Sequence, residues 1–174
     1  MNQVNKESNQ KDCVIQMRMA TVEDVSLILY FIKALADYEG MLDQVTATEE
    51  GLKASLFDRR GAEVVIAAYG GKPVGFALFF HNFSTFLGKS GLYLEDLYVE
   101  PEARGLGIGK ALLQYLAQLA EARGCGRMEW WCLDWNKPSI AFYQQLGAEA
   151  MSDWTVYRLK DDSIRRLAGG RDEH

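Results

Sequence analysis

LEDLYVEPEARGLGIGK, running from Leu94 to Lys110, organises the chain. Apolar residues up to Val99 predict a buried strand, Pro101 marks a tight loop, and Arg104-Gly105-Leu106-Gly107-Ile108-Gly109-Lys110 opens a helix expected to reach about Arg123. Alternating glycines at a strand-to-helix junction permit backbone conformations that a Cβ forbids, so successive N–H groups can turn inward around an anion. The expectation is a diphosphate cradle.

Two other glycine motifs fail. A triphosphate-binding loop needs a glycine five positions before the Gly-Lys pair and a hydroxyl residue after it, where this chain has Arg104 and Ala111. A dinucleotide fingerprint needs its last glycine where Lys110 stands, and belongs in the first strand-turn-helix unit.

On the N-terminal side of the cradle, Glu95 and Asp96 interrupt an apolar strand, Leu92 to Val99. Neighbouring strand residues point to opposite faces, so one carboxylate is expected on each. A carboxylate in a central strand is costly to bury unless it is paired or functional. Glu95 is therefore a candidate proton acceptor or amine ligand, with a structural ion pair as the alternative.

Further outward, Val14 to Met19 reads as a strand. Thr21 and Asp24 start a helix that ends near Gly40, and Thr46 and Glu49 start a second that Gly61 closes. Glu63 to Tyr69 and Pro73 to Phe80 read as a hairpin through Gly70-Gly71, and Gly88 to Gly91 as a loop. Past the cradle helix come a strand from Arg127 to Leu133, a helix from Ser139 to Leu146 capped by Asn136 and ended by Gly147, a strand from Thr155 to Leu159 and a frayed tail from Ile164 to Ala168. The order predicts an α/β fold: a central, mixed, mostly antiparallel sheet with helices on both faces.

The chain has 174 residues, enough for one domain with a full core, expected over 14–168 after a polar, disordered tail at 1–13. That tail lacks the apolar region of a signal peptide, and the longest nearly apolar run, Val25 to Ile32, is too short to span a bilayer. Cys13, Cys125 and Cys132 form no metal-ligand spacing, so no metal is expected, and reduced thiols in a cytoplasmic protein are. A net charge of -5 argues against nucleic acid and favours the approach of cationic small molecules.

Arg-Gly-x-Gly-x-Gly-Lys resembles the pyrophosphate-binding signature of the GCN5-related N-acetyltransferases, which transfer acetyl groups from acetyl-CoA. The likeness extends from residue 14 to about 160 and implies that family's acyl-CoA N-acyltransferase fold. It implies that Leu97, Tyr98 and Val99 pair with the pantetheine arm and that Arg104, Gly105, Leu106, Gly107, Ile108, Gly109 and Lys110 hold the diphosphate, although Lys110 could equally be a solvated surface residue. Asn136-Lys137-Pro138-Ser139-Ile140-Ala141-Phe142-Tyr143 is similar to the family's coenzyme-contacting helix, which brings in Asn136 and Ser139. It also makes Tyr143, an aromatic that would otherwise read as core, the acid that protonates the departing thiolate.

Transfer to an amine also needs the free base. A lysine-like amine with a pKa near ~10.4 is almost wholly protonated at neutral pH, so a proton acceptor is required. Glu95 is the candidate for that role, acting through a water.

Ala36-Asp37-Tyr38-Glu39, Leu92 to Asp96, Arg104 to Gly109 and Leu133-Asp134-Trp135-Asn136 together resemble the diamine (spermidine/spermine) and thialysine acetyltransferases. That likeness implies amine contacts at Tyr38, Glu39, Glu95, Glu129, Trp130 and Trp131, and a homodimer. An exposed helix end is the alternative for Tyr38 and Glu39, and core or dimer packing for the tryptophans. Where the polyamine enzymes carry an Asp and a Trp, this chain has Ser84-Thr85-Phe86, which resembles the thialysine branch instead.

Two other functions stay open. The acceptor could be a protein lysine, a peptide N-terminus or an antibiotic amine, or the chain could bind acyl-CoA without catalysis. Cys132 as an acetyl-carrying nucleophile lacks a base, since His81 is expected in a loop and His174 is terminal.

Overall fold

The computed structural model describes residues 14–169; the expected tail 1–13, with Cys13, and His174 lie outside the described residues. The chain forms two compact units, one ending at Trp131 and one beginning at Cys132.

The first unit is a five-stranded sheet in sequential order: β1 (Ile15–Met19), β2 (Glu63–Tyr69), β3 (Lys72–Ser84), β4 (Lys89–Val99) and β5 (Met128–Trp130). The first four strands are antiparallel, and β5 runs parallel to β4. The return in parallel needs a crossover, supplied by α3 (Ile108–Ala122). α1 (Val25–Tyr38) and α2 (Glu49–Leu52, continued as a π-helix over Lys53–Asp58) connect β1 to β2.

Strand alternation sorts the core onto two faces. Val64, Ile66, Phe76, Leu78 and Tyr98 pack with Ile28 and Phe31 of α1 and with Leu56. The intervening positions Val65, Ala67, Ala77 and Phe79 are also buried, as are Ile108, Leu112, Leu113, Leu116 and Ala120 along one stripe of α3. At the end of α3, Arg123 lies 5.7 Å from the Phe79 ring and its Nη2 donates to Glu63 Oε2 at 2.9 Å, which fixes α3 to this second face. The mixed sheet with helices on both faces is thus observed. Phe31 and Phe76 stack 5.4 Å apart, fully buried, so truncating either to alanine removes about 3–5 kcal/mol.

Gly75 has a packing role. A Cβ there would stand 2.6 Å from the Tyr98 carbonyl oxygen, so only glycine lets β3 lie this close to the end of β4.

At the start of α1, Asp24 joins two elements. It accepts from Arg18 Nη2 at 2.6 Å, from Nη1 at 2.7 Å and from the Thr21 amide at 2.8 Å. The Arg18 guanidinium holds its carboxyl down at about 2.

Several boundaries differ from the sequence reading. β3 runs on to Ser84 and β4 starts at Lys89, so His81 is a strand residue opposite Leu92, and of the expected loop Gly88–Gly91 only Gly88 stays outside the strands. The cap of α2 is Thr48, whose Oγ1 accepts from the Gly51 amide, in place of Thr46. β5 is three residues where seven were expected, because its ladder with Leu92 to Leu94 stops where β4 becomes irregular.

The second unit holds α4 (Lys137–Gln145) and α5 (Asp161–Leu167). Asn136 caps α4 as expected, its side-chain oxygen accepting from the Ser139 amide at 3.3 Å. The expected strand Thr155–Leu159 is absent: β-propensity needs a neighbouring strand, and among the described residues this unit has none. The expected frayed tail is instead α5, whose Asp161 and Asp162 at the start and Arg165 and Arg166 at the end complement the helix dipole.

Candidate active site

Between β4 and α3 the chain makes a turn at Pro101–Ala103 and then the glycine loop. Gly105 (φ +80°) and Gly107 (φ +84°) take left-handed conformations, and a Cβ on either would meet nothing within 4 Å. Backbone geometry, not crowding, therefore demands glycine at both. No side chain caps α3, and the first amide of the region with a carbonyl acceptor is that of Ala111, bonded to Gly107 O at 2.9 Å. Among the described residues, the amides from Gly105 to Lys110 have no acceptor, and they sit at the positive end of a fifteen-residue helix. These orphan amides fit the anion cradle expected from the sequence, and with it the diphosphate of acetyl-CoA.

β4 supplies the second part. The Glu100 amide donates to Val74 O at 2.8 Å, and antiparallel pairs alternate. Tyr98 and Asp96 therefore bond to β3, while Leu97 and Val99 turn their N–H and C=O groups to the other side. Since β5 pairs only with Leu92 to Leu94, that side of Leu97 to Val99 has no strand against it among the described residues. An extended amide-containing chain such as a pantetheine arm fits this edge.

The side chains here do something the sequence reading did not foresee. Tyr98, expected at the coenzyme through its backbone, buries its ring against Phe31 and donates from its hydroxyl to Glu100 Oε2 at 3.1 Å. Burial first, then that bond, pushes its phenol up to about 12. Glu100 Oε1 also accepts from Tyr30 of α1 at 2.7 Å. Arg104, expected to lend charge to the phosphates, donates from Nε to Val99 O at 3.0 Å, with its guanidinium 4.8 Å from the Tyr38 ring and 5.8 Å from the Tyr98 ring. Leu106 and Lys110 are exposed on the loop and helix start, and Ile108 is a core anchor of α3.

The carboxylates lie at an irregularity in β4. Leu94 pairs with Phe79 and Asp96 with Leu78, so two steps on β4 match one on β3, and Glu95 is the extra residue of a β-bulge. The one-per-face expectation is thereby corrected: a bulge suspends the alternation on which it rested. Glu95 is exposed, while Asp96 is half-buried on the face of Leu78 and Tyr98. Burial, then the charges of Glu95 and Glu39, push the Asp96 carboxyl up to about 6. Glu39, just past α1, is likewise raised by burial. Glu39, Glu95 and Asp96 thus share one electrostatic neighbourhood. Of these, Asp96 is the residue the sequence reading left out of the site, although the adjacent acidic pair was the signal for it.

The remaining amine candidates of this unit differ among themselves. Glu129 Oε2 accepts from Asn82 Nδ2 at 2.7 Å and lies 2.9 Å from Arg127 Nε, whose N–H is not aimed at it, so this carboxylate is already compensated. Trp131 is exposed and meets Tyr93 edge-on at 6.0 Å, and Trp130 is half-buried in β5. Ser84 is buried, its hydroxyl accepting from the Leu87 amide in the β3–β4 turn, and Phe86 beside it is almost fully exposed.

In the second unit Tyr143 lies in the last turns of α4, half-buried, with its ring 5.4 Å from that of Phe142. Ser139 is in the first turn of the same helix, after Asn136. Cys132 directs its thiol to Leu133 O at 3.7 Å.

Comparison with known proteins agrees with this geometry. Residues 30–148 match the model of the Acetyltransferase (GNAT) family. The chain is 36% identical over 169 residues to a thialysine N-epsilon-acetyltransferase of Bos taurus, covering 89% of this chain and 98% of that protein. It is 29% identical to an L-ornithine N5-acetyltransferase of Arabidopsis thaliana, covering 87% of each. Among solved structures, an integron cassette protein from the mobile metagenome of V. cholerae superposes with a TM-score of 0.74 at 27% identity, over 88% of this chain and 97% of that one.

Proposed function

The chain belongs to the Acetyltransferase (GNAT) family and is an acetyl-CoA-dependent N-acetyltransferase, and from that premise we propose that its acceptor is a small primary amine of the thialysine, lysine or diamine type. The observation behind the substrate class is the acidic neighbourhood of Glu39, Glu95 and Asp96 beside the open edge of β4. Three carboxyl groups attract an ammonium and give it a place to lose its proton. The names of the relatives at 36% and 29% identity, acting on thialysine and ornithine, support a short diamine-like acceptor. So does the stretch Ser84-Thr85-Phe86, which lacks the carboxylate that the resemblance to polyamine enzymes would call for.

Bound by the cradle amides of residues 105–110 and by the outward backbone groups of Leu97 and Val99, acetyl-CoA supplies an activated acetyl thioester. The protein's own groups do the rest. Glu95, exposed at the bulge, accepts the amine proton through a water, so that neutral nitrogen attacks directly in a ternary complex. Tyr143 gives its phenolic proton to the sulfur, because a phenol, with an ordinary pKa of about 10, is not badly mismatched to a thiolate. Tyr38, Glu39, Trp130 and Trp131 orient the acceptor, and Asn136 and Ser139 contact the carrier. Glu129, compensated by Arg127 and Asn82, is the weakest member of the set. A homodimer, which rests on the family likeness, and a cytoplasmic location, which rests on the reading of the cysteines as reduced thiols, complete the proposal.

Thiol release from acetyl-CoA across thialysine, lysine, ornithine, putrescine and spermidine, with mass-spectrometric identification of the products, tests this reading. Turnover led by thialysine or another short amine is expected. A preference for intact proteins, or no acetylated product from any amine, would overturn it.

A further inference from the structure

Arg104 engages three groups at once, and they belong to different parts of the unit. Its Nε is bonded to Val99 O at the end of β4, one flank faces the Tyr98 ring, and its guanidinium carbon lies 4.8 Å from the ring of Tyr38, the last residue of α1. These contacts use Nε and the π-faces of the guanidinium. The Nη edge belongs to an exposed side chain on the residue immediately before Gly105, where the cradle amides begin. A planar guanidinium can stack on aromatic rings and bind an oxyanion along its edge at the same time; a lysine ammonium cannot.

Tyr38 is followed at once by Glu39, a carboxyl that raises its neighbour Asp96. Whatever fixes Tyr38 therefore fixes one wall of the acidic neighbourhood. A second tie, Tyr30 to Glu100 at 2.7 Å, holds α1 to the same junction two turns earlier, and the Arg104 contact bears on the last turn of α1.

We infer that Arg104 is a positioning residue that links occupancy of the cradle to the order of the Tyr38–Glu39 segment, so that the carrier prepares the amine site before the amine arrives. The inference rests on residues 105–110 being the carrier's diphosphate site. An anion on the Nη edge restrains the guanidinium, the restrained guanidinium restrains the Tyr38 ring, and the next ligand meets a segment already ordered.

The test is hydrogen exchange of residues 36–41 with and without coenzyme A, alongside calorimetry of coenzyme A binding to the same full-length samples. In the unaltered protein, saturation with coenzyme A is expected to slow exchange at 36–41 about two- to fivefold, the size of one exposed cation–π contact. Arg104→Lys keeps the charge but loses the fork, and is expected to bind coenzyme A with that protection abolished. Tyr38→Leu should behave the same way, while Tyr38→Phe, which retains the ring, should keep it. If coenzyme A binds and exchange at 36–41 is unchanged, or if Arg104→Lys retains full protection, the linkage is wrong and the cradle stands. If coenzyme A does not bind the unaltered protein, the cradle falls and the linkage with it.

Discussion

The two halves of β4 have the same neighbour on one side and different surroundings on the other. Leu92 to Leu94 lie between β3 and β5 and are paired on both edges; among the described residues, Leu97 to Val99 are paired to β3 alone. Between them the bulge at Glu95 shifts the register, and there the exposed Glu95 and the half-buried Asp96 stand side by side. One strand thus holds a core ladder, an acidic bulge and an open edge in turn. An interruption of regular pairing can therefore create a site without any change of fold.

If the bulge serves proton chemistry and the open half with its loop serves anchoring, substitutions should separate the two. Tyr143→Phe and Glu95→Gln should each lower kcat about a hundredfold or more while leaving coenzyme A affinity by calorimetry within about threefold of the parent. Loss of binding in parallel with turnover would erase the division. Gly107→Val acts on the other side. A β-branched residue at φ +84° costs about 1–3 kcal/mol, so the loop should rearrange and coenzyme A affinity drop about ten- to a hundredfold. Because no atom crowds that position, the melting temperature should fall by only a few degrees.

The two carboxyls of the bulge can be told apart by pH. Asp96 is raised to about 6 in the folded chain from an ordinary 3.8, so the unfolded chain releases this proton first. Its contribution destabilises the fold progressively as pH rises from about 4 to about 6, by about 2 kcal/mol once solvent screening is allowed for. Asp96→Asn should accordingly stabilise the protein at pH 7 and have no effect at pH 3, as denaturant titration at the two pH values would read. Its kcat/KM profile should also lose an acidic limb near pH 6. The smallest effect lies away from both halves. Asp24, held at about 2 by Arg18, contributes stability above about pH 4 that is lost as pH falls through 2. Asp24→Asn should cost about 1–2 kcal/mol at pH 7 with no change in carrier affinity.

Much of this was legible in the residues. The alternating glycines before a helix announced Gly105 and Gly107 correctly, since positive φ is a property that glycine spacing advertises. Asn136 three residues before Ser139 announced the cap of α4. The bulge was not legible: Glu95-Asp96 reads as two ordinary steps of a strand, and only the pairing with Leu78 and Phe79 reveals that one step is extra. Nor was the placement of Arg104, because a basic residue beside a phosphate loop suggests the phosphate first and gives no hint of Tyr38, distant in sequence and adjacent in space. Residues 155–159 failed for a related reason. Trp154, Val156 and Tyr157 have strand propensity but are more than half exposed, and propensity without a partner strand leaves extended chain.

The most direct measurement is the amide NMR spectrum recorded while coenzyme A is added. Shifts should concentrate at Leu97, Val99 and Gly105 to Lys110, with Leu92 to Leu94 unmoved. Shifts confined to other parts of the chain, or equal movement of both halves of β4, would contradict an open edge and cradle as the carrier's seat.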